Sequence, residues 1–175
     1  MTEDGGASVH ASAVRIGNRA VLIRGPSGSG KSHLAFDLLL SGRSGQIAPA
    51  ILVGDDRVHL DTDAGQLRVR PAAELAGLIE IRGLGIRRCA FAGEAIVGLV
   101  VDLATDDSER LPAPEALTTR ILGILIPRIP VGVGYSPLPL VVAALTTTES
   151  SSSGNHSADC LKGIGNHISP TIATE

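Results

Sequence analysis

Residues 8–16 (SVHASAVRI) alternate loosely between apolar and polar, a Gly17-Asn18 pair interrupts them, and the apolar run RAVLIR follows at 19–24. That pattern predicts a β-hairpin. Beyond the glycine-rich residues 25–32, Ala35, Leu38 and Leu39 recur at helical spacing, and Gly42 reads as the glycine that caps the helix. The run APAILVGDDRVHLD is apolar up to Gly54, meets Asp55 and Asp56 at the end of a predicted buried strand, and then alternates. GQLRVRP and AGLIEIRGLGIRRCAF predict further short strands punctuated by Gly83 and Gly85, while AIVGLVVDL has the unbroken apolar character of a central strand buried on both faces.

Residues 104–119 turn polar, with Asp106, Asp107, Glu109, Arg110 and two prolines, and predict an exposed loop or short helix of the kind that often covers a site. An apolar strand pattern returns at 121–133, and 138–145 predict a short final helix. Turn-linked strands outnumber helices, so the expected fold is α/β with a mixed sheet and few helices. From Thr146 onward the chain is rich in Ser, Thr, Gly and Asn, which divides it into a domain at 1–146 and a tail at 147–175 expected to be disordered.

Gly25, Pro26, Ser27, Gly28, Ser29, Gly30, Lys31 and Ser32 match G-x-x-x-x-G-K-[ST] without a mismatch, between a predicted strand and a predicted helix. In such a loop successive N–H groups converge on phosphate oxygens at the positive end of the helix dipole. Lys31 reaches the β- and γ-phosphates and the Ser32 hydroxyl joins a Mg²⁺ shell. The alternative is a glycine-rich turn that caps a helix and binds nothing.

Composition narrows the setting. At 175 residues and 17.9 kDa one domain is expected, and with 43% hydrophobic but only 2% aromatic residues its core must be aliphatic. A formal charge of −3 and the scarcity of aromatic residues argue against nucleic acid as a partner. Cys89 and Cys160 lack metal spacing, no apolar run reaches membrane-spanning length, and no leader pattern opens the chain, so the expected setting is the cytoplasm, away from membranes. Lys31 is the only lysine before Lys162.

The adjacent carboxylates bear on the reaction. Charge repulsion between Asp55 and Asp56 could raise one pKa and yield a base for a hydroxyl nucleophile; the dipeptide alone fits a polar turn equally well. Glu80 lies in apolar surroundings where Mg²⁺ or Arg82 would compensate a buried carboxylate, unless its side chain points to solvent. His10 on an alternating strand and Arg110 on a polar segment are, on chemistry alone, a structural histidine and a solvated arginine.

Taken together and in this order, VHASAV, GPSGSGKS, VGDDRV, IEIRGLGI and ERL resemble the catalytic domain of the HPr kinase/phosphorylase family over residues 8–145. The resemblance implies the phosphate-loop architecture shared with phosphoenolpyruvate carboxykinase. It also implies ATP-dependent phosphorylation of a serine on the phosphocarrier protein HPr or an HPr-like carrier, in control of the sugar phosphotransferase system. Many members also remove the phosphate by phosphorolysis. Asp56 would then be the proton acceptor of phosphorylation and the donor of the reverse reaction, with Asp55 as a supporting carboxylate. Ser32 and Glu80 would serve Mg²⁺, Lys31 the phosphates, and His10 and Arg110 would complete the site. Residues 79–88 match the family signature, and a homohexamer is implied.

Two departures stand out. The chain looks like a short form, similar to those of alphaproteobacteria, without the N-terminal regulatory domain of longer members. The stretch PVGVGY places Gly132 and Tyr135 where the family's P-V-x-x-G-R type segment, linked to dephosphorylation, usually has basic side chains. Kinase activity with weak or absent phosphorylase activity is therefore expected. A small-molecule kinase and a nucleotide-sensing module without turnover remain as other readings; Lys31, Asp56, Glu80 and Arg110 together favour an enzyme.

Overall fold

The computed structural model describes residues 6–148. In chain order these form β1 (Ala7–Val9), β2 (Ser12–Ile16), β3 (Arg19–Arg24), α1 (Lys31–Arg43), β4 (Ala50–Gly54), β5 (Val58–Asp63), β6 (Gln66–Pro71), β7 (Leu78–Ile81), β8 (Gly85–Arg88), β9 (Ala95–Leu103), β10 (Thr118–Ile121), β11 (Ile124–Val131) and α2 (Pro137–Thr146). The main sheet runs β1-β5-β6-β9-β3-β2-β4, with β11 joining it against β9 and pairing with β10; β7 and β8 form a separate two-stranded ribbon.

The apolar run AIVGLVVDL becomes β9, buried throughout except for half-buried Ile96. One edge of β9 pairs in parallel with β3. Its other edge is shared, antiparallel to β6 at its start and parallel to β11 at its end. The β3 register shifts at Gly98, because Ala20 faces Val97 while the next residue, Val21, faces Leu99. A bulge of this kind reverses which face the following side chains take. Leu99, Val101 and Leu103 accordingly pack with α1 and α2, whereas Ala95 and Val97 join Val58, Leu60, Leu67 and Val69 in a second cluster. Both clusters are aliphatic, as the composition demands.

The predicted mixed sheet, hairpin, central strand and short last helix are present. Three local expectations are corrected, one of them the strand at 121–133, which a turn at Leu122 and Gly123 divides between β10 and β11. Residues 8–16 are not one strand: the chain bends at His10, so that β1 pairs with β5 while β2 pairs with β3 and β4. Gly42 does not cap α1, which continues to Arg43 with Ser44 as its cap. The glycine is there for close approach, since a Cβ at Gly42 would lie 2.7 Å from the Ala50 Cβ and backbone nitrogen. The tail at 147–175 lies, from residue 149 onward, outside the described residues. No helix among the described residues is long and apolar enough to cross a membrane.

The parallel strands β3, β9 and β11 are tied together near their carboxyl ends by charge. Asp102 of β9 is 8% exposed and accepts from Arg24 Nε and Nη2 at 2.7 Å each and from Arg128 Nε at 2.5 Å. Arg128 also donates to Asp107 and to the Ala116 carbonyl, which anchors the polar 104–119 segment. Burial by itself would push the Asp102 carboxyl up, but the hydrogen bonds from Arg24 and Arg128 prevail and hold it below its ordinary value.

A carboxyl whose folded value is depressed contributes stability that is complete above its unfolded value and is lost as pH falls through the folded one. Asp102→Asn should therefore cost about 3 kcal/mol at neutral pH, the low end for a broken buried pair because Arg24 is a third exposed. The difference from wild type in urea midpoint should narrow as pH drops below about 4. A pH-independent difference would contradict this assignment.

Candidate active site

The glycine-rich residues leave the end of β3 and wind back into α1. Gly25, Gly28 and Gly30 all have positive φ, and at Gly25 a Cβ would lie 2.7 Å from Ser29 Oγ and 2.9 Å from the Leu103 carbonyl. Only glycine fits there. α1 begins without a side-chain cap and without an acid in its own first turn, so no cap side chain satisfies its leading N–H groups. Lys31 is 6% exposed and its ammonium donates to the Gly25 and Pro26 carbonyls at 3.0 and 2.9 Å. Burial lowers the Lys31 pKa, a shift that the charges of Asp55 and Asp56 partly offset.

The two adjacent carboxylates have different surroundings. Asp55, 3% exposed, lies at the end of β4; its Oδ1 accepts from Ser12 Oγ at 2.5 Å and from Ser32 Oγ at 2.9 Å, and its Oδ2 accepts from the Glu80 N–H at 3.1 Å. Asp56 follows with φ 65°, the left-handed conformation that aspartate tolerates better than most residues. Its side chain is 67% exposed and lies 3.2 Å from His10 Nε2, at the bend between β1 and β2. One carboxylate is thus fixed inside and its neighbour faces solvent.

Asp55 draws β7 to the loop through the Glu80 backbone, while the Glu80 side chain is exposed and has no hydrogen bond or ion pair among the described residues. No burial cost therefore needs compensation at Glu80. Arg110 is exposed on the segment that Asp107 anchors and likewise has no such partner among the described residues. The structure thus gathers Lys31, Ser32, Asp55, Asp56, His10 and the β7 backbone, with no hydrogen bond or ion pair from Arg110 to them. A pocket of about 330 Å³ opens between loop residues 26–29 and residues 131–135, lined also by Leu103 and Ala104. The divergent PVGVGY stretch therefore borders the loop. Gly132 is buried, and a Cβ there would meet the Ser108 hydroxyl, so a larger residue requires Ser108 to move.

These residues fit a nucleotide phosphate. Ser29 Oγ is buried without a partner among the described residues, and the uncapped N-terminus of α1 and the Lys31 ammonium lie in the same short segment. No cluster of three or more His, Cys, Asp or Glu capable of holding a metal ion occurs among the described residues. The Ser32 hydroxyl and the Glu80 carboxylate are oxygen donors of the kind Mg²⁺ prefers. Sequence reasoning missed Ser12, for which HASAV offers no signal. It also missed the Arg24–Asp102–Arg128 network, whose signal is the lone carboxylate near the end of the apolar run AIVGLVVDL.

Known proteins resemble this chain in sequence and in fold. The family model described as HPr Serine kinase C-terminal domain matches residues 5–163. A relative from Mycoplasma mycoides subsp. mycoides, named HPr kinase/phosphorylase, is 33% identical over 154 residues, 79% of this chain and 47% of its own length. One of the same name from Bordetella pertussis is 34% identical over 155 residues, 81% of this chain and 48% of its own. The chain thus spans about half the length of the curated relatives it matches. Among solved structures, the Hpr(Ser) kinase/phosphatase from Coxiella burnetii superposes with a TM-score of 0.61 at 29% identity, covering 78% of this chain and 91% of that one. With its family match over most of its length and a shared fold, the chain belongs to the HPr serine kinase C-terminal domain family.

Proposed function

We propose that this protein transfers the γ-phosphoryl group of ATP, as its magnesium complex, to a serine hydroxyl of the phosphocarrier protein HPr or an HPr-like carrier. The observation that carries the proposal is the paired environment of Asp55 and Asp56, one carboxylate held beside the phosphate loop and the next exposed beside it. The relatives' names supply the acceptor.

In this reading the loop N–H groups and Lys31 hold the β- and γ-phosphates, and in-line geometry supplies much of the rate. Lys31 exchanges its present bonds to loop carbonyls for phosphate oxygens, whose negative charge favours the charged form that burial disfavours. Ser32 and Glu80 would hold a Mg²⁺ ion, which would neutralise phosphate charge. Asp56 takes the proton of the acceptor hydroxyl, and His10 at 3.2 Å orients its carboxylate. Asp55 stays on its three donors and keeps Ser32 aligned. Arg110, exposed and unpaired among the described residues, is available to the transferring group.

Asp56→Asn should lower transfer to HPr at least about 100-fold while nucleotide affinity changes less than about 3-fold, and HPr with alanine for its target serine should accept nothing. Undiminished transfer by Asp56→Asn would remove its role as base. Nucleotide binding without transfer to any HPr-like carrier would favour the sensor reading instead.

The PVGVGY stretch lacks basic side chains at Gly132 and Tyr135, so dephosphorylation should be weak or absent. Seryl-phosphorylated HPr incubated with the protein and inorganic phosphate should release little pyrophosphate. Rapid release would contradict the expectation.

A further inference from the structure

Ser12 is fully buried on β2, outside the phosphate loop, and 43 residues separate it from the Asp55 carboxylate to which its hydroxyl donates. A buried strand serine is commonly satisfied by a nearby carbonyl, and an apolar residue would avoid the cost of burying a hydroxyl. Here the hydroxyl instead meets the oxygen, Asp55 Oδ1, that also accepts from Ser32.

A serine hydroxyl has one proton and two lone pairs. Ser32 directs its proton at Asp55, so its lone pairs face away from that carboxylate and are available to a cation. Rotation of the Asp55 carboxylate would turn Ser32 with it. Two contacts oppose that rotation, the short charge-assisted bond from Ser12 on Oδ1 and the Glu80 N–H on Oδ2.

We propose that Ser12 is a positioning residue for the magnesium–nucleotide site, acting through Asp55 on the Ser32 hydroxyl. The inference rests on the proposed function, in which Ser32 serves the metal ion. Ser12 touches neither nucleotide nor metal; it fixes the acceptor that orients a ligand. Groups in this relation to a metal commonly alter its affinity 10- to 100-fold when removed, and with the Glu80 N–H still in place an effect of about 10-fold is expected.

The test is the Mg²⁺ dependence of binding of a fluorescent ADP analogue to wild type, Ser12→Ala, Asp55→Asn and the double variant. Ser12→Ala should raise the Mg²⁺ concentration for half-maximal enhancement of binding about 10-fold, with Mg²⁺-free affinity within about 2-fold of wild type. In the Asp55→Asn background the same change should have no further effect, because the interaction it serves is already gone. Equal effects in both backgrounds, or an equal loss of Mg²⁺-free binding, would make Ser12 merely structural and overturn the inference. Ser12→Cys, nearly isosteric with a weak donor, takes the place of alanine if that variant does not fold, and should show an intermediate shift. Wild type without Mg²⁺-enhanced binding would defeat the proposed function and this inference with it; wild-type enhancement untouched by Ser12→Ala would defeat the inference alone.

Discussion

The Asp55 carboxylate is the contact on which the arrangement depends. It is buried, and a buried ion must be compensated by donors or an opposite charge. Its donors come from three places in the chain, Ser12 on β2, Ser32 in the first turn of α1 and the Glu80 N–H on β7. The Lys31 ammonium adds its field without a direct bond, as Asp55 counters the fall in the lysine's pKa. Satisfying one carboxylate therefore fixes the helix that follows the phosphate loop, the strand before it in space and the ribbon that carries Glu80.

The sheet makes this possible by where its strands end. β3, β9 and β11 run parallel, so their following segments, the phosphate loop, residues 104–119 and residues 132–136, emerge at one end of the sheet. Ligands in open α/β sheets bind at that end. The guanidiniums of Arg24 and Arg128 converge on Asp102 just below, which keeps the three strand ends from splaying and holds the 104–119 segment by Asp107. The bulge at Gly98 serves both halves of the fold, turning one part of β9 toward the helices and the other toward β5 and β6.

What could be read from the sequence was what local spacing encodes. Eight consecutive residues specify the phosphate loop, the carboxylates in VGDDRV are neighbours, and AIVGLVVDL declares a strand buried on both sides. Partnerships across long separations could not be read: nothing in HASAV distinguishes Ser12 until β2 lies beside β4, and Asp102 does not reveal two arginines 78 and 26 residues away. Gly42 misled because a close-approach glycine near a helix end looks like a cap until Ala50 is in view. The bend at His10 was hidden because both halves alternate, although they pair with different strands. That bend is also what sets the histidine beside Asp56.

In the proposed function the adjacent carboxylates divide the labour, Asp55 orienting the metal ligand and Asp56 taking the proton. The most direct measurement compares single-turnover phosphoryl transfer by Asp55→Asn and Asp56→Asn across a range of Mg²⁺ concentrations. The account predicts that Asp55→Asn needs more Mg²⁺ and recovers part of its rate when given it. Asp56→Asn should keep the wild-type Mg²⁺ requirement and stay slow at every concentration. Identical Mg²⁺ profiles for the two variants would contradict the division.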